Sequence, residues 1–196
     1  VDWQRPRDPD HKNIDMALLL KAEHLFERYN FIESAKAYDE IRLSKVPKEL
    51  GSSLSYKKAW SHSESKNITM AIKSFTAFIQ EYPEDSRIAN ALAKRALNYR
   101  AIEDYTSALS DLKNIIDEHQ DSTSTELAYQ QIALIEGQKQ NYPGLIDSYQ
   151  SLLKKFPDSK ANAEAHFWIG WGQFELKKFE ESSKSLREAR KLDRKS

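Results

Sequence analysis

Residues 179–188, Phe-Glu-Glu-Ser-Ser-Lys-Ser-Leu-Arg-Glu, match residues 31–40, Phe-Ile-Glu-Ser-Ala-Lys-Ala-Tyr-Asp-Glu, at five of ten positions. The two copies begin 148 residues apart, which is four periods of 37 residues. A fixed period of this length is typical of solenoid proteins, so the repeat predicts the fold before any propensity is considered. Steps of 37 from the first copy reach an aromatic residue or Ile each time: Phe31, Ile68, Tyr105, Tyr142 and Phe179.

The composition narrows the class of protein. With 5 Gly and 6 Pro in 196 residues, and 31% charged residues, the chain favours helices. Lys plus Arg and Asp plus Glu each number 30, so the broad basic surface expected of a nucleic-acid binder is excluded. There is no Cys, which excludes a disulfide framework, a thiolate nucleophile and Cys-ligated zinc.

The sequence predicts no direct membrane insertion. Its longest apolar run, residues 16–20, has five residues, whereas a membrane-spanning helix needs about 20. The chain begins with Val and carries no signal peptide, so we expect a mature or excised segment.

The 37-residue frame predicts an irregular lead-in at 1–14, with Trp3 as its apolar anchor, and a solenoid at 15–196. Asp15 is the expected N-cap of the first helix, and Pro47 with Gly51 marks the link to the second pair. Pro143 falls in a first turn behind Asn141 or Tyr142, where its missing N–H is tolerated. Repeats are expected at about 15–51, 52–88, 89–125, 126–162 and 163–196. The predicted helices are 15–28, one opening at 31, and 52–65, 68–82, 88–101, 105–119, 125–139, 142–155, 161–176 and 179–192.

Three sets of equivalent positions, which recur every 37 residues and are called columns here, predict how the two helices of a pair pack. A small residue in each first helix and a mostly small residue in each second helix allow close approach, and a large residue fills the remaining space. The first column is Ala22, Ala59, Ala96, Ala133 and Gly170. The second is Ser34, Ala71, Ala108, Leu145 and Ser182, and the third is Tyr38, Phe75, Leu112, Tyr149 and Leu186. Gly170 and Gly172 are expected to pack closely beneath Trp168 and Trp171.

This pattern resembles the tetratricopeptide repeat, whose unit is a helix-turn-helix of 34 residues. The resemblance covers about residues 15–193 and implies an all-α, right-handed superhelix of about five hairpins. The links at 81–86, Glu-Tyr-Pro-Glu-Asp-Ser, and 155–159, Lys-Phe-Pro-Asp-Ser, look like those of bacterial envelope repeats. Such repeats occur in the Tol-Pal coordinator and in the lipoprotein of the outer-membrane β-barrel assembly machinery. This subtype implies a periplasmic or outer-membrane-associated protein, with the cytoplasm as the alternative.

No residue pattern supports catalysis or cofactor binding. The five His never pair at i,i+4 with a second ligand, and there is no Gly-rich phosphate loop. We therefore predict no enzyme activity, no catalytic residues, no metal and no cofactor.

The frame predicts which residues of the first helices face a concave groove, the surface on which solenoids bind partners. The aromatic and aliphatic members are the types expected at binding hot spots. The alternative for Tyr56 and Trp60 is that they only cover neighbouring repeats. The predicted partner-binding residues are Leu19, Phe26, Tyr56, Trp60, Leu97, Leu134, Phe167, Trp171 and Phe174.

The sequence thus predicts a non-catalytic scaffold that binds a peptide or helix of a protein partner. Lys57 and Lys94 lie near the groove but do not reproduce the cationic clamp of tetratricopeptide co-chaperones, which favours an apolar ligand. The alternative is a structural spacer or self-association segment of a longer solenoid. Self-association would use the last repeat. If the chain does not self-associate there, the outer helix of this repeat either caps the solenoid by itself or is followed by more chain.

Overall fold

A computed structural model describes residues 14–42 and 46–194, so Trp3 and most of the predicted lead-in lie outside the described residues. In these ranges the chain forms ten α-helices and no β-strand, which confirms the predicted all-α fold. The helices are Ile14–Glu27 (α1), Phe31–Asp39 (α2), Lys48–Glu64 (α3), Ile68–Glu81 (α4), Ile88–Ala101 (α5), Tyr105–Glu118 (α6), Ser124–Gln138 (α7), Tyr142–Lys155 (α8), Asn162–Glu175 (α9) and Phe179–Asp193 (α10).

The chain divides into two compact units, Val1–Ile102 and Glu103–Ser196. Unit 1 contains α1–α5 and unit 2 contains α6–α10. Within each unit, every helix packs against the next one along the chain, as expected for a stack of helix hairpins. The division falls between α5 and α6, inside the predicted third repeat.

The turn between the two helices of a hairpin has the same geometry in every repeat. Its first residue has a positive φ of 58–64°, and its second precedes the next helix. Asn67, Asp104 and Asn141 occupy this second position, and each accepts a hydrogen bond from the backbone N–H three residues later. Asn141 is therefore the cap that precedes Pro143, and the prediction that this Pro is tolerated in the first turn of α8 is confirmed.

The three predicted packing columns are buried, with one exception. All five residues of each small column are buried, and so are Tyr38, Phe75, Leu112 and Tyr149 of the large column. Leu186, in the last hairpin, remains 38% exposed. Two Ser of the second column add the same hydrogen bond in different hairpins: Ser34 Oγ donates to the carbonyl of Ala22 (3.1 Å), and Ser182 Oγ to that of Gly170 (2.7 Å).

Two predicted boundaries are wrong. The first helix begins at Ile14, so Asp15 lies inside its first turn and is not the N-cap. Its buried carboxylate instead accepts hydrogen bonds from the backbone N–H and the guanidinium of Arg42, both at 2.8 Å. Likewise α3 begins at Lys48, directly after Pro47, so Gly51 is a helical residue. A Cβ there would lie 2.7 Å from the Tyr82 hydroxyl, so the Gly permits a close approach.

Gly170 and Gly172 do serve close packing, but not beneath Trp168 and Trp171. A Cβ on Gly170 would lie 2.8 Å from Cγ of Leu186 in the paired helix α10. A Cβ on Gly172 would lie 3.2 Å from side-chain carbons of Leu145 and Ile146 in α8. The two Gly therefore bring α9 close to the helices on either side of it in the sequence.

Candidate partner-binding surfaces

Trp60 lies at the centre of an aromatic and charged cluster on the first helices of unit 1. Its ring makes edge-to-face contacts with Phe26 of α1 and Tyr56 of α3, with centroids 5.6 and 5.7 Å apart. Its Nε1 donates to Glu64 Oε1 (3.0 Å), and Lys94 Nζ of α5 lies 4.1 Å from the ring centroid. Trp60 is half-buried. Contacts from three helices fix its rotamer while leaving part of the ring accessible, which lowers the entropic cost of binding.

The cations beside Trp60 have partners within unit 1. Lys57 forms an ion pair with Glu23 and lies 5.4 Å from the centroid of the Phe26 ring. Glu23 also accepts a hydrogen bond from the Tyr38 hydroxyl (2.7 Å). Burial, reinforced by this carboxylate, raises the pKa of Tyr38 well above its usual range, so the hydroxyl keeps its donor proton. The Lys57–Glu23 pair therefore links α3 to α1, and Lys94 Nζ, 3.4 Å from Glu64 Oε1, links α5 to α3.

Tyr56 and Leu19 are buried, so their contacts support packing. Tyr56 is 5% exposed, and its hydroxyl donates to Asn90 Oδ1 of α5 (2.6 Å). The Arg87 guanidinium lies 5.1 Å from its ring centroid, and burial raises the pKa of Tyr56 to about 12. Leu19 belongs to the core cluster of α1–α3. Of the two roles open to Tyr56 from sequence, covering the neighbouring repeat is the one that its contacts favour.

Arg87 belongs to a small polar network at the start of α5. Its side chain donates to both carboxylate oxygens of Asp85 (2.7 and 2.8 Å) and to Ser52 Oγ of α3 (2.9 Å). The hydrogen bonds from Arg87 hold the pKa of Asp85 well below its usual range. The link between α4 and α5 is thereby anchored to α3, beneath Tyr56.

The middle of the predicted surface is aliphatic. Leu97 lies on α5 in unit 1 and Leu134 on α7 in unit 2, and both are half-buried. The structure thus brings Phe26, Tyr56 and Trp60 into contact with one another, while these two Leu belong to separate units.

In unit 2, α9 presents aromatic residues at positions i, i+4 and i+7. Phe167 and Phe174 are 48% and 54% exposed, and Trp171 between them is half-buried. Trp171 makes edge-to-face contacts with Tyr142 of α8 (5.3 Å) and with Trp168 (5.5 Å). This spacing places the three predicted residues on one face of the helix, with Trp171 supported by its neighbours.

Sequence analysis missed residues that extend both aromatic surfaces. Phe179, 60% exposed, contacts Phe174 edge-to-face at 5.6 Å, and Phe31 contacts Phe26 in the same way at 5.5 Å. In both hairpins the pair spans the turn at i and i+5. The sequence could have indicated this contact. An aromatic residue recurs at the start of the second helices, and it closely follows the end of the first helix.

Two further properties of the described residues concern membranes and metal ions. None of the helices in residues 14–42 and 46–194 is both long and apolar enough to cross a membrane. The same ranges contain no cluster of three or more His, Cys, Asp or Glu suited to hold a metal ion.

Comparisons with known proteins identify the type of fold. Residues 53–85 match the tetratricopeptide repeat family model. A crystal structure of MamA aligns over 94% of each chain with 16% identity and a TM-score of 0.75. MamA (41-end) from Desulfovibrio magneticus RS-1 aligns over 93% of this chain and 96% of that chain, with 13% identity and a TM-score of 0.74.

A third solved structure, the apo form of RapI, is longer. It aligns over 91% of this chain but 53% of its own length, with 15% identity and a TM-score of 0.78. The comparison with curated proteins gives no match. Identities this low carry the fold alone. The chain therefore has a tetratricopeptide-like fold of helix hairpins, in which residues 53–85 match the tetratricopeptide repeat family.

Proposed function

We propose that this chain is a non-catalytic protein–protein interaction scaffold that binds a peptide or helix of a partner protein on the inner faces of its first helices. The anchors are Phe26 and Trp60 in unit 1 and Phe167, Trp171 and Phe174 in unit 2. Leu97 and Leu134 add aliphatic area, and we assign no chemistry to the surface. Leu19 and Tyr56 support it from within the core.

The proposal rests on the partial exposure of Trp60 and on the contacts that hold its ring. A large aromatic ring that is half-exposed and held by contacts from three helices resembles the rigid aromatic anchors found at binding hot spots. Trp171 repeats the arrangement in unit 2, where Tyr142 and Trp168 support it. An apolar stripe of this kind suits an amphipathic helix or an extended peptide.

We also propose that the partner belongs to a bacterial envelope assembly and that the protein is periplasmic or outer-membrane-associated. The links that suggested this subtype share one backbone geometry. In the two Pro-containing links, the N–H of Asp85 donates to the carbonyl of Tyr82 (3.0 Å), and that of Ser159 to Phe156 (3.1 Å). The link between α6 and α7 makes the same bond, from the N–H of Ser122 to the carbonyl of His119 (2.9 Å). This regularity supports the resemblance on which the proposed location rests.

The test is an affinity capture from separated periplasmic and cytoplasmic extracts of the native cells. The double variants Phe26→Ala/Trp60→Ala and Trp171→Ala/Phe174→Ala should each lose the captured partner, since a hot-spot truncation of 2 kcal/mol weakens binding about 30-fold. The matched control is Ile32→Ala, which removes an exposed apolar side chain from α2, a second helix. Thermal melts establish that all variants are folded.

Two outcomes would overturn the proposal. Capture of the same partner by both double variants would remove the aromatic surface from the mechanism and favour the structural-spacer alternative. A partner captured only from the cytoplasmic extract would leave the binding surface standing and reject the envelope location.

A further inference from the structure

Lys94 of α5 shows how a first helix of this chain holds a cation. Its Nζ lies 4.1 Å from the centroid of the Trp60 ring and 3.4 Å from Glu64 Oε1, both on the preceding first helix, α3. Trp60 and Glu64 are four residues apart and therefore lie on the same face of α3. An aromatic face and a carboxylate each attract an ammonium group, so the two side chains act together on one Lys.

Lys57 of α3 is held in the same way by α1. It forms an ion pair with Glu23, and its Nζ lies 5.4 Å from the centroid of the Phe26 ring. Lys57 and Lys94 hold the same position of the 37-residue spacing. In unit 1 this position therefore carries a cation that a Glu and an aromatic ring of the preceding first helix bind.

The remaining first helices carry neither the cation nor the acid. In α7 and α9 the position of Lys57 is neutral and is held by Gln131 and Trp168. The helices that precede them are neutral at the positions of Trp60 and Glu64, which are Leu97 and Ala101 in α5 and Leu134 and Gln138 in α7. A Lys thus stands at this position only where the preceding first helix offers a Glu.

The last first helix, α9, offers both kinds of group again. Trp171 and Glu175 stand three periods after the pair that holds Lys94. Phe174, three residues after Trp171, adds a second ring to the same face and is 54% exposed. Trp171 is half-buried and Glu175 is exposed. Among residues 14–42 and 46–194, no first helix follows α9 and no ion pair involves Glu175.

We propose that Trp171, Phe174 and Glu175 bind a basic side chain, Lys or Arg, of the partner segment that lies on α9. This inference rests on the proposed function and adds one charged contact to a surface that is otherwise aromatic and aliphatic. An acidic residue at the same place would be repelled by Glu175, so the site discriminates between basic and acidic segments. A second copy of this chain stacked end to end would present Leu20, which holds the position of Lys94 in α1, and would leave the Glu175 carboxylate without a cation.

The test measures how much one cation contributes to binding. The probes are two labelled peptides of the α5 segment, residues 86–102, one unaltered and one with Lys94→Glu. In fluorescence anisotropy at physiological salt, the unaltered peptide should bind the wild-type protein about three- to thirty-fold more tightly, the range for an exposed cation–π contact together with an exposed ion pair. Glu175→Lys should reverse this preference, and Trp171→Ala should reduce it without reversing it.

The matched control is Glu181→Lys, the same change of charge at an exposed site on α10. It should shift the ratio of the two affinities far less than Glu175→Lys does, because salt screens charges that are not in contact. Thermal melts establish that all variants are folded. Absence of binding by both peptides, a ratio near one for the wild type, or equal shifts by Glu175→Lys and the control overturns the proposal.

Affinity capture of the native partner separates this inference from the proposed function. If Trp171→Ala/Phe174→Ala loses the partner and Glu175→Lys keeps it, the binding surface stands and the basic side chain is rejected. If both variants keep the partner, the surface on α9 is itself rejected.

Discussion

Five residues with left-handed backbone geometry mark the hairpin turns, and they offer a sharp test of the repeat. Their φ angles lie between 58° and 64°, and they follow one another at intervals of 37 residues. They are Tyr29, Lys66, Glu103, Gln140 and Lys177. The chain has no Gly at any of them, although Gly is the residue that adopts this conformation without strain.

The turn after α3 shows why the conformation is required. The N–H of Lys66 donates to the carbonyl of Ser63 (3.1 Å), and the N–H of Asn67 donates to that of His62 (2.9 Å). These two bonds close the helix end and reverse the chain, as in a Schellman motif, only when Lys66 is left-handed. Each turn is thus held by tertiary structure against the preference of its own residue.

We expect Lys66→Gly, Gln140→Gly and Lys177→Gly each to raise the free energy of unfolding by about 0.5–1 kcal/mol. Relief of the left-handed strain contributes about 1–2 kcal/mol, and the greater unfolded-state freedom of Gly takes back about 0.5–1 kcal/mol. The three side chains are exposed, so little packing is lost. In a chain of this size the gain corresponds to an increase in Tm of about 1–4 °C.

The assay is urea denaturation followed by far-UV circular dichroism, with Lys113→Gly as the matched control. Lys113 is an exposed Lys inside α6, where Gly should cost about 1 kcal/mol. The same substitution is therefore expected to have opposite signs at two exposed Lys positions. Destabilisation by Lys66→Gly equal to that of the control would refute a left-handed turn at this position.

Two further predictions concern buried contacts. Asp85→Asn should lower the free energy of unfolding by about 1–2 kcal/mol at pH 7, since it removes the carboxylate that Arg87 binds. Because the folded state holds the pKa of Asp85 well below the unfolded value of 3.8, this contribution is fully present above 3.8, shrinks as pH falls below it and is lost only below the folded pKa. The difference between the urea melts of the two proteins should therefore be smaller at pH 3 than at pH 7. Ala133→Leu should cost about 1–3 kcal/mol by overpacking the core between α7 and α8, whereas Leu134→Ala, one residue along and half-buried, should cost less in the same assay.

The helices could be predicted because every repeat follows the same 37-residue spacing. Second helices begin at the aromatic or Ile marker in all five cases, from Phe31 to Phe179. The prediction from the repeat failed where a tertiary contact replaced the expected helix cap. Asp15 was available as a cap by residue type, but its carboxylate is taken by Arg42 across the hairpin. A residue type indicates which roles are possible, and tertiary contacts select among them.

The exposure of the predicted surface residues could not be derived from the repeat. Tyr56 and Phe167 occupy the same position of the frame, three periods apart, yet one is 5% and the other 48% exposed. The difference arises because Asn90 of α5, and Arg87 directly before α5, cover Tyr56. Position within a repeat fixes where a side chain points, whereas exposure depends on what the following helix brings, and that information lies outside the repeat itself.

One position of the second helices differs in charge from hairpin to hairpin. The position is Asp39, Thr76, Lys113, Gln150 and Arg187 in successive hairpins, so it varies while the core columns keep their size. The residue 19 positions later, in the following helix, is a polar partner in two of the four cases: Lys58 pairs with Asp39, and Arg95 donates a hydrogen bond to Thr76 (2.9 Å). At the same offset from Lys113 and Gln150 the following helices carry Ile132 and Ile169, which are buried. This position therefore adds specificity only where both residues are polar, and elsewhere the fit of the apolar side chains decides which helix can pack.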